Sequence, residues 1–139
     1  MNPQEILAQM FRHDGFSQWL GIEVLNVGEG HCSLKMTVRP EMLNGFGVAH
    51  GGISFSLADS AFAFACNSRG RHAVSIHCTI EHVAPVHAGD VLVATAREEN
   101  LGNSVSNYTI RVTRADDTPV AFFRGVAYRK KKEWSNPSQ

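Results

Sequence analysis

The stretch His50-Gly51-Gly52-Ile53-Ser54-Phe55-Ser56-Leu57-Ala58-Asp59-Ser60-Ala61-Phe62-Ala63-Phe64-Ala65-Cys66, HGGISFSLADSAFAFAC, sets a glycine pair before a long apolar run that holds one carboxylate. From Gly52 to Ser68 the chain is Ala-rich and too long for a strand, and Gly70 stands where a helix terminator belongs. The pattern predicts one helix of about 17 residues, roughly 25 Å long. Leu57, Ala61, Phe64 and Ala65 share one side, while Ile53, Phe62 and Cys66 cover much of the rest. Such a helix needs protein around it. It is too short for a membrane span and Asp59 interrupts it, so the run is a core element and no membrane partner is expected.

Strand signals surround this helix. Ile22 to Val27 is a short strand candidate, turned by Gly28-Glu29-Gly30 into His31 to Arg39, where Cys32, Leu34, Met36 and Val38 alternate with polar residues. Pro40 stops that strand, and a glycine-rich loop leads to the helix. Beyond it lie Ala73 to Val83, Asp90 to Asn100, and a hairpin of Val105 to Thr113 with Val120 to Arg129. The alternation of Val74, Ile76, Cys78 and Ile80 with Ser75, His77, Thr79 and Glu81 is the clearest strand signal among them. Helices and strands are segregated along the chain, so the class is α+β with an antiparallel sheet curled around one helix. A single domain spans 1–139, with a short helical segment at 1–20 and a mobile tail from about 130 to 139.

Composition narrows the function classes. The 139 residues hold 13 Lys+Arg and 13 Asp+Glu, so the balance of charge gives no footprint for nucleic acid. Cys32, Cys66 and Cys78 are odd in number, lack CxxC spacing and follow no export signal, which predicts free thiols in a cytoplasmic protein. His77, His82 and His87 are five apart, and odd spacing on a strand puts neighbours on opposite faces, so no metal site is expected. Ser54 and Ser56 complete no G-x-S-x-G elbow and read as ordinary helix residues, and Cys66 reads as an inert core thiol.

Two features carry chemistry. Glycines at a helix start expose unpaired N–H groups and let another molecule approach the backbone, although Gly51 and Gly52 also suit a plain loop-to-helix turn. Asp59 among Ile, Phe, Leu and Ala either bonds to a backbone group or a hydroxyl such as Ser56 or Ser60, or lines a cavity that something enters. Desolvation there would raise its basicity. Eight residues separate Gly51 from Asp59, about 12 Å along one helix, so the two cannot touch one carbonyl group. Two antiparallel copies across a two-fold axis would bring Asp59 of one opposite the glycines of the other.

Met42-Leu43-Asn44-Gly45, His50-Gly51-Gly52, the segment SLADSAFAFACNSRG at 56–70 and His87-Ala88-Gly89-Asp90 together resemble the hotdog-fold acyl-CoA thioesterases of the PaaI type, from about Gly21 to Tyr128. That resemblance implies a long helix wrapped by a curved antiparallel sheet, a homodimer with shared sites, and a homotetramer as a dimer of dimers. It also implies hydrolysis of acyl-CoA, with aryl-acetyl or medium-chain acyl groups as the range and no cofactor beyond the coenzyme A of the substrate. Asp59 matches the nucleophile or general base, Gly51 the oxyanion donor, and Asn44 and His50 the residues that shape that end. Gly52 and Ser75 match positions that contact substrate or water. Phe46, Val48, Ala49, Phe62 and Phe64 are candidates to border the acyl pocket, and the cations of Arg129 to Lys132 are candidates for the coenzyme A phosphates.

Two other functions on the same fold compete. A hydratase or dehydratase uses a His with an acid in different motif positions, whereas here the His directly precedes the glycine pair. A non-catalytic acyl-CoA sensor carries a DNA-binding helical domain, for which about 20 residues before Gly21 are too few.

Overall fold

Two short helices precede the sheet in the computed structural model, which describes residues 1–138. Helix α1 (Pro3–Arg12) starts at Asn2, whose side chain accepts from the Glu5 N–H while the Glu5 carboxylate accepts from the Asn2 N–H, each at 2.9 Å. Two helix-end donors are thereby satisfied reciprocally. Helix α2 (Gly15–Leu20) is capped by Asp14 and stops at Gly21, whose φ of 74° is one that a side chain resists.

Strands β1 (Glu23–Gly28) and β2 (His31–Thr37) form the first hairpin. Helix α3 (Gly51–Asn67) follows, then β3 (Arg71–His82), β4 (Val91–Leu101), β5 (Val105–Arg114) and β6 (Pro119–Glu133). Every pairing is antiparallel, in the order β1-β2-β4-β5-β6-β3. Helix α3 touches all six strands, which is the hotdog arrangement. Leu57, Ala61, Phe62 and Ala65 from the helix meet Leu34, Leu92, Ile110, Val112 and Phe123 from the sheet, all essentially without solvent contact. Each fully buried Leu or Phe contributes about 2 kcal/mol.

The helix departs from the expectation in one respect. Gly52, Phe55, Ser56, Asp59 and Ala63, spaced by threes and fours, are only partly buried, so a stripe of α3 is left uncovered by its own chain. Edge strand β3 is likewise unpaired on its outer side, because only β6 bonds to it.

The predicted alternation on β3 is corrected by a bulge. Register shifts between Ser75 and His77, so Ser75 pairs with Ala127 and Cys78 with Gly125. Cross-strand partners share a face. Ser75, Cys78, Ile80 and His82 therefore lie on the side of α3 with the buried Ala127, Phe123 and Ala121, while Val74 faces out at 42% exposure and the extra residue, Ile76, is 58% exposed. One inserted residue reverses which side chains point inward.

The mobile tail is corrected as well. Strand β6 continues to Glu133, and Trp134 stacks on His72 with ring centroids 4.1 Å apart while its Nε1–H donates to Asn67 Oδ1 at 2.9 Å. Edge strand β3 pairs with Arg129 and Glu133 on either side of the lysines, Arg71 Nε donates to Lys130 O, and Asn67 supplies a polar partner for the indole. Residue 139 lies outside the described residues.

Candidate active site

The start of α3 is built to leave one donor free. His50, at φ −59° and ψ 137°, caps the helix, and its Nδ1 accepts from the Gly52 N–H at 2.9 Å. That bond assigns the ring proton of neutral His50 to Nε2. Ile53 N–H donates to the His50 carbonyl at 2.9 Å. Gly51 N–H finds no acceptor among the described residues and stands at the positive end of the helix dipole.

Asn44 shapes the loop before it. Its N–H donates to Val48 O at 2.7 Å, its carbonyl accepts from Gly47 N–H at 3.0 Å, and its Oδ1 accepts from the N–H groups of Phe46 (2.9 Å) and Val48 (3.4 Å). The carboxamide oxygen is spent inside the loop, which leaves Nδ2 as the free donor. A pocket of about 440 Å³ opens beside Gly51, lined by Val48, Ala49, Ser54, His82 and Val120. Phe46 does not line it, standing 95% exposed at the loop tip. Phe62 and Phe64 do not line it either, since both rings are buried in the core, Phe62 against Tyr108 and Phe123, Phe64 against Phe11.

Asp59 lies two turns along the helix. It is half-buried and has no hydrogen-bond or ion-pair partner among the described residues. Ser56 donates instead to Gly52 O at 2.6 Å, and Ser60 meets Ser17 Oγ at 2.8 Å, so neither serves Asp59. Burial, and then the negative charge of Asp14 at the start of α2, push the Asp59 carboxyl above the usual range. Its own charge is felt by Cys66 and Cys78, both pushed up chiefly by burial, Cys66 to about 12. Ser75 Oγ and Cys78 Sγ are 3.0 Å apart, so Ser75 belongs to the Asp59 end.

The residues singled out in the sequence thus fall into two groups within one chain. Asn44, His50, Gly51 and Gly52 gather at the helix start, Asp59 and Ser75 at its middle, about 12 Å away along the axis. His77 faces away from α3 while His82 faces it, as the odd spacing predicts, and no cluster of three metal-ligating side chains forms among the described residues. Lys130 to Lys132 sit near Trp134, at the far end of α3 from Gly51.

Nothing in the linear sequence joins His82 to Ser54, yet His82 Nδ1 lies 3.2 Å from Ser54 Oγ at the pocket wall. Reading β3 through its bulge is the signal that would have placed His82 on the helix side. A larger depression of about 730 Å³ among Thr95, Thr109, Arg111 and Phe122 holds neither the free helix-end N–H nor Asp59. The chemistry points to the smaller pocket.

The model of the thioesterase superfamily matches residues 46–121, a span that includes His50, Gly51, Asp59 and Ser75 but not Asn44. The acyl-coenzyme A thioesterase PaaI of Escherichia coli K12 is 43% identical over 120 residues, 86% of each chain. The solved structure of E. coli PaaI, from the phenylacetic acid degradation operon, superposes with a TM-score of 0.93 at 39% identity, covering 96% of each chain. A single-residue variant of the phenylacetic acid degradation protein PaaI from Thermus thermophilus gives 0.81 at 38% identity, over 84% of this chain and 100% of that one. With a family model over more than half of its length and relatives of this identity over most of it, this chain belongs to the thioesterase superfamily.

Proposed function

We propose that the protein hydrolyses acyl-coenzyme A thioesters at two equal sites, each made from Gly51 of one subunit and Asp59 of the other. One observation carries the reading: an unpaired backbone N–H and an unpaired, desolvated carboxylate lie on one helix, too far apart to meet the same carbonyl. The half-exposed stripe of α3 and the open edge of β3 support a two-fold partner, which would extend the sheet and cover both. The outward face of the sheet, with exposed Phe122 and Tyr128, is the surface on which two such dimers would form a tetramer.

In this site the thioester oxygen accepts from Gly51 N–H, where the helix dipole favours the negative charge that develops on it. The His50 Nε2–H and the Asn44 Nδ2–H groups are the other donors at that end, while Gly52, its own N–H held by His50, leaves room for the substrate. Asp59 either attacks the carbonyl carbon, giving a mixed anhydride and expelling the coenzyme A thiolate, or takes a proton from a water that attacks. Ser75, beside Asp59, can hold that water. The scheme draws on no metal or cofactor, since coenzyme A arrives and leaves with the substrate. Aryl-acetyl and medium-chain acyl groups are the proposed range, by likeness to E. coli PaaI and from the apolar pocket. We place the protein in the cytoplasm on its three free thiols and its coenzyme A substrate.

Mixing two inactive variants tests the shared site. Asp59→Asn and Gly51→Pro each remove one half, but a hybrid dimer keeps Gly51 from the first and Asp59 from the second. Thiol release from acyl-CoA should return to about a quarter of the wild-type rate in a randomised equal mixture, because half the dimers carry one of two sites intact. No recovery, with hybrids shown to form, overturns the shared site.

A further inference from the structure

The wall of the pocket beside Gly51 carries one polar pair in otherwise apolar surroundings. Ser54 is buried to 6% exposure, and its hydroxyl reaches both the Gly51 carbonyl and His82 Nδ1 at 3.2 Å. With its proton given to the carbonyl, Ser54 Oγ accepts from Nδ1–H, and Nε2 of the neutral ring is left as an acceptor. That nitrogen is close to the reaction centre, because a Cβ added to Gly51 would stand 3.2 Å from it. Val48, Ala49, Val86 and Val120 form the rest of the nearby wall.

We infer that the Ser54–His82 pair is a specificity determinant that selects acyl groups bearing a hydroxyl on the second or third carbon. The inference rests on the thioesterase reading and deepens it. A carbonyl oxygen bonded to Gly51 N–H fixes the thioester carbon beside that residue, and His82 Nε2 stands 3.2 Å from where a Cβ on Gly51 would lie. A hydroxyl one or two carbons further can donate to Nε2 over a bond of about 2.8 Å, whereas a substituent at the far end of a longer chain cannot. A plain acyl group leaves the nitrogen facing hydrocarbon, and sites that offer a hydrogen bond discriminate against analogues unable to make it.

Matched thioesters test this: lactoyl-CoA against propionyl-CoA, and 3-hydroxybutyryl-CoA against butyryl-CoA, compared by kcat/KM from thiol release. The wild type should favour the hydroxylated member of at least one pair by about tenfold, the effect of one neutral hydrogen bond. His82→Phe keeps an aromatic ring without nitrogen and should bring that ratio toward one. Ser54→Ala should lower it in part, and His82→Gln should restore some of it. Circular dichroism and thermal melts establish that each variant folds. A wild-type ratio of one in both pairs, or a ratio that survives both His82→Phe and Ser54→Ala, overturns the inference. So does an equal loss on both members in His82→Phe, which would make His82 a support for the loop. Release of no thiol from any acyl-CoA by the wild type is a separate outcome that overturns the thioesterase reading itself.

Discussion

The two ends of α3 are finished in opposite ways. At its start, Gly51 N–H is unpaired, Asn44 keeps its amide donors free, and a pocket opens to solvent. At its end, the polar groups are engaged. Asn67, 3% exposed, donates to Ala63 O (2.8 Å) and Ala73 O (3.0 Å), and accepts from Ala73 N–H and Trp134 Nε1–H (both 2.9 Å). Ser68 Oγ donates to Ala65 O at 2.6 Å and accepts from Gly30 N–H at 2.8 Å. Arg69 spans Glu98 and Glu29, and Tyr108 donates to Glu98 at 2.9 Å. One helix thus carries an end with open donors and an anchoring end with closed ones. A free N–H at a helix start that opens on a pocket can bond a ligand oxygen, whereas donors already paired cannot.

The comparison predicts that substitutions at the open half cost turnover and those at the closed half cost folding. Asp59→Asn should have the largest effect, a loss of about a thousandfold in kcat, since an acid–base group alone contributes about 10²–10⁴ and a nucleophile no less. Steady-state kinetics check it, and near-normal kcat would remove Asp59 from the chemistry. Gly51→Pro should follow at about a hundredfold, the usual loss for one oxyanion donor. Proline is accepted at a first helical position, and the His50 ψ of 137° is one that a residue before proline adopts, so the substitution deletes the N–H and keeps the helix start, while its Cβ, 3.2 Å from His82 Nε2, makes that side chain give by a few tenths of an ångström. Melting close to that of wild type would show that the lost rate is not lost folding.

Asn67→Ala attacks the closed end. It strands the buried Ala73 N–H and the partly buried Trp134 indole N–H, for a loss of about 2 kcal/mol of stability. Denaturant unfolding measures this, and kcat of the folded fraction should be unchanged. A variant that kept its stability but lost turnover would break the division between the two ends.

How much of this was legible in the sequence follows from how local each signal is. Helix α3, the glycine pair and the isolated carboxylate are features of one continuous run, and the 12 Å gap between them follows from helix geometry alone. The bulge at Ile76 was not legible, because Val74, Ile76, Cys78 and Ile80 alternate as a regular strand would, and only pairing with β6 shows the slip. Trp134 looks like part of a polar tail until Asn67, 67 positions earlier, is set beside it. The same holds for Ser54 and His82, which are 28 residues apart and mean something only as a pair. Signals that depend on contact between distant segments are absent from a linear reading.

The smallest effect expected is a pH-dependent gain in stability on removing the Asp59 charge. Burial and the neighbouring Asp14 hold the folded carboxyl above its usual range, so across a window that opens near the ordinary Asp value of about 3.9 the native state binds more protons than the unfolded one. Within that window stability falls as pH rises. Below it both states are protonated and the site costs nothing, whereas above the folded value the wild type carries the full cost of a desolvated carboxylate. Asparagine has nearly the same shape and no charge. Thermal melts from low to neutral pH should therefore show Asp59→Asn melting above wild type at pH 7, with the margin shrinking toward zero as pH falls through the window. A margin independent of pH would mean that Asp59 is solvated or paired in the assembled protein, and the open half of the helix would then reduce to the donors at its start.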